Sequence, residues 1–161
     1  MKFSLPMTRL IILLFFSCFA FIGFSQSTQD LDDYGASVEQ GLVKYTMVEK
    51  QKTETGSKQF FYEGRELKLV RVLVADHGIL KKVDWYYVEN KLILAETTWK
   101  SDLKGDVVFH EKYYFSKGKM FAWLNFENQF EKPESELFKS TGQDILRTAA
   151  RWIEEAKAAK K

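Results

Sequence analysis

Cysteine is almost missing from this chain of 161 residues: the single one, Cys18, lies in an apolar stretch at the N-terminus. Beyond that stretch, disulfides, thiol nucleophiles and cysteine-ligated zinc are excluded. Histidine is nearly as scarce, with only His77 and His110. A catalytic zinc site commonly takes three protein ligands, often histidines. These two share neither helical nor CxxC-type spacing, so no metal and no other cofactor is expected. No G-x-S-x-G elbow, phosphate loop or dinucleotide fingerprint occurs. The segment Asp30-Leu31-Asp32-Asp33-Tyr34-Gly35 opens like a calcium loop, but Tyr34 and Gly41 stand where an oxygen ligand before the glycine and a closing Glu are needed. It reads as a solvated lead, with Asp33 as a candidate helix cap.

The N-terminus is what cysteine's position draws attention to. Lys2 and Arg9 precede an apolar run from Leu10 to Phe24, and Gly23 and Ser25 set small residues at the −3 and −1 positions of a cleavage site before Gln26. This is the pattern of a secretory signal peptide over residues 1–25. The run falls short of the roughly 20 apolar residues that a spanning helix needs, so no membrane span is expected after its removal. Phe15-Phe16-Ser17-Cys18 has an outline of a lipobox, but the residues after Cys18 are too apolar for a solvated tether. The expected location is the periplasm or the cell exterior. Of 24 basic and 22 acidic residues, only Lys2 and Arg9 fall in the leader, which leaves 22 of each sign and a formally neutral product. Nucleic acid is not an expected partner for such a balance.

The residues that follow suit one domain. Residues 26–58 read as a flexible lead. Val38, Leu42 and Tyr45 have helical spacing, whereas Val43 to Val48 reads equally as a first strand, and 49–58 is a charged loop. From residue 59 to 161 the chain reads as a single domain built on a repeat. The triplets Phe60-Phe61-Tyr62, Trp85-Tyr86-Tyr87 and Tyr113-Tyr114-Phe115 are each followed by four turn-like residues and then by Leu67, Leu92 or Met120. Gly64, Asn90 and Gly118 suit the positive φ of a tight turn. Each unit is therefore a β-hairpin, and Asp76-His77-Gly78 turns the chain between the first two. Three hairpins in succession predict an antiparallel meander of about six strands.

Alternation predicts a sheet with two apolar faces. Val70, Val72 and Val74 share one side, against Leu67, Leu69, Leu73 and Arg71, and Met120, Ala122, Leu124 and Phe126 oppose Phe121 and Trp123. Something must cover each face. From about Glu134 to Ala158 a stripe at Phe138, Ile145, Ala149, Trp152, Ile153 and Ala156 predicts an amphipathic helix on one of them, with Gly142 as a break and Thr141 as the cap of its second half. The fold class is α+β.

The aromatic triplets are the unusual feature, and Trp85, Tyr86, Tyr113 and Trp123 are the candidate ligand or partner surface. Folding alone also accounts for them, because aromatics favour strands and stack across them. Glu96 and Glu111 lie on strands among aromatics, as a sugar-cleaving pair would, or as cross-strand partners of lysines. The unit best carried by Tyr113-Tyr114-Phe115-Ser116-Lys117-Gly118-Lys119-Met120 resembles the hairpin repeats of MORN-variant proteins. The glycine comes one position early at Gly64, and Asn90 replaces it in the second unit. The resemblance implies a scaffold or binding role and transfers no catalytic residue. The reading is an exported, non-catalytic protein that binds an envelope or extracellular protein. Two alternatives stand beside it: a carrier or sensor of a small apolar or sugar-like ligand held between sheet and helix, and a carboxylate-based hydrolase.

Overall fold

The computed structural model describes residues 27–50, 55–101 and 103–160. The leader and cleavage site expected from the sequence, with Cys18, lie outside the described residues. Seven strands form one antiparallel sheet in simple sequence order: β1 (Thr46–Lys50), β2 (Gly56–Glu63), β3 (Glu66–Asp76), β4 (Ile79–Val88), β5 (Lys91–Ser101), β6 (Val107–Ser116) and β7 (Lys119–Leu124). Two helices flank it, α1 (Thr28–Gly41) and α2 (Glu136–Ala159), with a one-turn 3-10 helix at Leu42–Lys44 after α1. The α+β meander is as expected. The strand beyond the six that three hairpins supply is β1, drawn from a segment whose pattern suited helix and strand equally. No helix among the described residues is long and apolar enough to cross a membrane.

The repeat in the sequence is a repeat in geometry. In each hairpin the register slips by one residue beside the triplet, so that Tyr62 faces Leu67, Tyr87 faces Leu92 and Phe115 faces Met120. Lys68, Ile93 and Phe121 are the extra residues of three equivalent β-bulges. The bulge corrects the simple alternation: Leu67 packs with Tyr62 and Val70 while Leu69 packs on the opposite face. Met120 is likewise parted from Ala122 and Leu124. The turns differ in kind. Glu89 and Asn90 (φ 50° and 58°) and Lys117 and Gly118 (φ 51° and 72°) have both central residues left-handed, the type I′ pattern. In the first hairpin only Gly64 (φ 57°) does, as type II′ requires. That is why its glycine comes one position early.

Both faces of the sheet are covered, by different helices. Over one face α2 packs Ala149, Trp152 and Ala156 onto Phe60, Val70, Trp85, Tyr87 and Phe115, and Phe138 is buried near its start. Lys58 ties it down through Glu155 at 2.7 Å. The helix runs unbroken through Gly142, and its cap is Ser135, whose hydroxyl accepts from Phe138 N–H at 3.1 Å. The expected break at Gly142 is therefore incorrect. A Cβ there would stand 3.0 Å from Met120 Cβ, so the glycine serves a close approach of helix to strand. Over the other face lies α1, in the segment read as a flexible lead. It buries Leu31, Gly35 and Val38, and its cap is Ser27, in a reciprocal capping box with Asp30, rather than Asp33.

Candidate functional site

Register sorts the candidate aromatics. One straight cross-strand row runs Val48, Phe60, Val70, Trp85, Ala95, Tyr113 and Trp123 on the α2 face. A neighbouring row on the α1 face runs Met47, Phe61, Leu69, Tyr86, Leu94, Tyr114 and Ala122. Trp85, Tyr113 and Trp123 thus share a face, and Tyr86 is on the reverse of the sheet. Trp85 packs on Trp152 of α2 in a tilted pair at 4.1 Å between ring centroids and is buried. Tyr113 and Trp123 meet in a tilted pair at 5.3 Å between ring centroids, and the Tyr113 hydroxyl donates to Glu111. Burial, reinforced by Glu111, pushes that phenol well above its ordinary range. The Trp123 indole N–H is buried with no hydrogen-bond partner among the described residues. Trp85 and Tyr86 are core, the one beneath α2 and the other beneath α1.

Farther along the same face lies a group that the triplets do not mark. Lys81, Trp99 and Phe109 stand in register across β4, β5 and β6. Trp99 and Phe109 stack at 4.5 Å, and Phe126 adds to the stack at 5.9 Å from Phe109. The Lys81 ammonium caps the outer face of Trp99 at 5.1 Å. None of these rings belongs to either buried cluster. Phe126 is 58% exposed, and Phe130, bridged to Leu124, is 61% exposed. The sequence signal for them was the parity of β5 and β6: Trp99 lies four residues from Ala95 and Phe109 four from Tyr113, so each pair shares a face.

No protein-family model, no curated protein and no solved structure matches this chain. Its chemistry is carried by its own geometry.

On the α1 face that geometry is a row of charge: Arg71, Asp84, Glu96 and Lys112 are successive cross-strand neighbours. Asp84 is fully buried, held by Arg71 Nε at 2.7 Å and NH2 at 2.9 Å and by Lys82 at 2.7 Å. Arg71 also pairs with Glu39 of α1, which accepts from the Tyr86 hydroxyl at 3.0 Å. Farther along, Lys112 meets Asp32 of α1 at 2.8 Å, and the Tyr114 hydroxyl donates to the same carboxylate at 3.2 Å. His110 Nε2 lies 2.7 Å from Glu96. Burial alone would raise the Glu96 pKa; the His110 hydrogen bond and the charges of Lys112 and Lys82 outweigh it and hold it below 4.5. Each carboxylate is engaged by a basic group, the chemistry of a polar seam that docks α1. Glu96 bonds His110 on this face, whereas Glu111 bonds Tyr113 on the other, so the two carboxylates named for glycosidic cleavage are not brought together. His77 projects from the β3–β4 turn beside Asp76, apart from His110. Among the described residues no group of three or more His, Cys, Asp or Glu could hold a metal ion.

Between sheet and α2, at the C-terminal end of the helix, a pocket of about 420 Å³ opens over Tyr62, Leu67, Ile153 and Ala156. Its rim is Arg65 and Asn90 from two hairpin turns, with Lys157 and Lys160 from α2. The Tyr62 hydroxyl donates to Ala156 O at 2.7 Å, and its burial raises the phenol's pKa. Lys160 Nζ lies 4.8 Å from the centre of the Tyr62 ring and donates to Gly64 O at 2.5 Å.

Proposed function

We propose that this chain is an exported, non-catalytic binding module that docks a protein partner in the cell envelope or outside the cell. The observation that carries the reading is the stack Trp99–Phe109–Phe126, which continues the apolar face of the sheet outside both buried clusters and ends on an exposed ring. Aromatic anchors of this kind, rimmed by polar groups such as Lys81, dominate binding energy at protein interfaces. The arginine- and lysine-engaged carboxylates on the other face suit a structural seam, and the leader pattern of residues 1–25 accounts for export.

A photo-cross-linker placed at Phe130 in cells tests this directly. A discrete adduct should form there, disappear with Phe126→Asp, and be absent when the cross-linker replaces the outward-facing Arg147. No adduct at 130, or the same adduct at 147, rejects the docking surface. The intact mass of the exported product checks cleavage after Ser25 in the same preparation.

A second reading, a carrier of a small ligand between sheet and helix, is favoured by the pocket beside Tyr62. Its volume of about 420 Å³ falls within the range of small-molecule sites.

A further inference from the structure

The pocket at the end of α2 has an apolar floor and a basic rim, and that pairing defines a ligand class. We propose that it binds a free amphiphile carrying one carboxylate, with the tail on Tyr62, Leu67, Ile153 and Ala156 and the head group at Arg65, Lys157 and Lys160. The inference rests on the carrier reading. Tyr62, Leu67 and Ala156 are buried from water, and Ile153 is half-buried at the mouth. The Tyr62 hydroxyl is already satisfied by Ala156 O. The floor therefore offers a ligand no unmet polar group, and apolar contact is what it can give.

The rim has a different origin on each side. Lysines at a helix C-terminus are favoured by the helix dipole and need no ligand to explain them. Arg65 has no such excuse: it comes from the β2–β3 turn, on the sheet, and converges on the same opening. Among the described residues no carboxylate pairs with Arg65 or with Lys160, while Lys157 shares Glu154 at 2.7 Å. Lys160 is held in place by Gly64 O and the Tyr62 ring, neither of which neutralises its charge. Asn90, from the next hairpin turn, completes the lining. Positive charge gathered from two elements around one apolar opening complements an anion with an apolar body, and a guanidinium suits a carboxylate.

Titration calorimetry of the purified protein with decanoate, 1-decanol and decyltrimethylammonium, all below micelle formation, tests this. Decanoate should bind at least about tenfold more tightly than the other two, the scale of losing one charged hydrogen bond. Arg65→Glu should weaken decanoate by at least about the same factor, and Arg65→Glu with Lys157→Glu should abolish it; both residues are exposed, so the fold is retained. If none of the three probes binds, the carrier reading fails along with the inference. Equal binding of all three leaves a carrier and overturns the carboxylate. Decanoate binding that ignores both variants places the ligand elsewhere and also overturns it, as does association with phosphatidylglycerol vesicles without binding of monomeric decanoate.

Discussion

Glu96 shows how much a single side chain depends on its row. Its burial alone would favour the neutral form, yet His110, Lys112 and Lys82 keep it ionised below its ordinary value of 4.5. A carboxyl whose pKa is lower folded than unfolded adds stability that is complete above the unfolded value and disappears as pH falls through the folded one. Glu96→Gln should therefore cost about 1.5 kcal/mol at pH 7, the worth of a hydrogen bond to a charged partner. The gap between wild type and variant should narrow below pH 4.5. Urea midpoints measured at pH 7, 5, 4 and 3 check both points, and a gap that stays constant across that range rules out this role for the His110 contact. Asp84 differs in kind, because it is sealed from solvent against Arg71 and Lys82. A buried ion pair of that sort adds little net stability, and its Arg71 also reaches Glu39 of α1.

The hairpins were the legible elements, since a turn's backbone demand is written in a few adjacent residues. Three triplets at matched spacing announced three hairpins, and even the early Gly64 had a local cause in its turn type. The bulges were not legible: the extra residues Lys68, Ile93 and Phe121 share no side-chain type, so alternation counted through them assigns Leu67 and Met120 to the wrong face. Helix α1 was only partly legible: the helical spacing of Val38, Leu42 and Tyr45 touched its end, but its start was hidden because its surface is polar, with only Leu31, Gly35 and Val38 buried, and two of its residues are glycine. Gly142 misled in the opposite direction, as a residue that usually breaks helices was there for contact with Met120. Of the four residues named as one surface, Trp85, Tyr113 and Trp123 share a face and Tyr86 lies on the other, while the Trp99 stack lay outside the repeat that drew attention. Turn chemistry also leaves room for improvement. Lys117 holds φ 51° without a side chain suited to it. Lys117→Asn makes the Asn-Gly pair that type I′ turns favour, and should raise stability by about 0.5–1 kcal/mol. An unchanged or lower urea midpoint counts against the I′ assignment.

The whole molecule is a sheet between two unequal covers. Helix α2 sets Trp152 into its face, with Ala149 and Ala156 letting it lie close, buries Phe138 near its start, and clamps itself through Glu155. Helix α1 buries two large side chains, Leu31 and Val38, worth about 1.5–3 kcal/mol each. Tyr34 adds part of its ring to the same cluster, and its other links are polar: Asp32 to Lys112, Glu39 to Arg71, and the Tyr34 hydroxyl to Tyr87 O at 2.8 Å. Such contacts exchange with water at little net cost when a helix lifts away. The sheet does not need α1 to stay paired, because its ladders join consecutive strands and its other face keeps its own core. It follows that α1 opens as a separate unit, at a lower free energy than the rest of the domain. Native-state hydrogen exchange in low urea should find α1 amides exchanging through an opening with a small urea dependence, while those of β4 and α2 exchange only with global unfolding. If α1 and β4 share one free energy and one slope, the two cores are a single cooperative unit and the polar seam is stronger than its exposure suggests. If they part, the row of Leu69, Tyr86, Leu94 and Tyr114 is the surface that the opening uncovers.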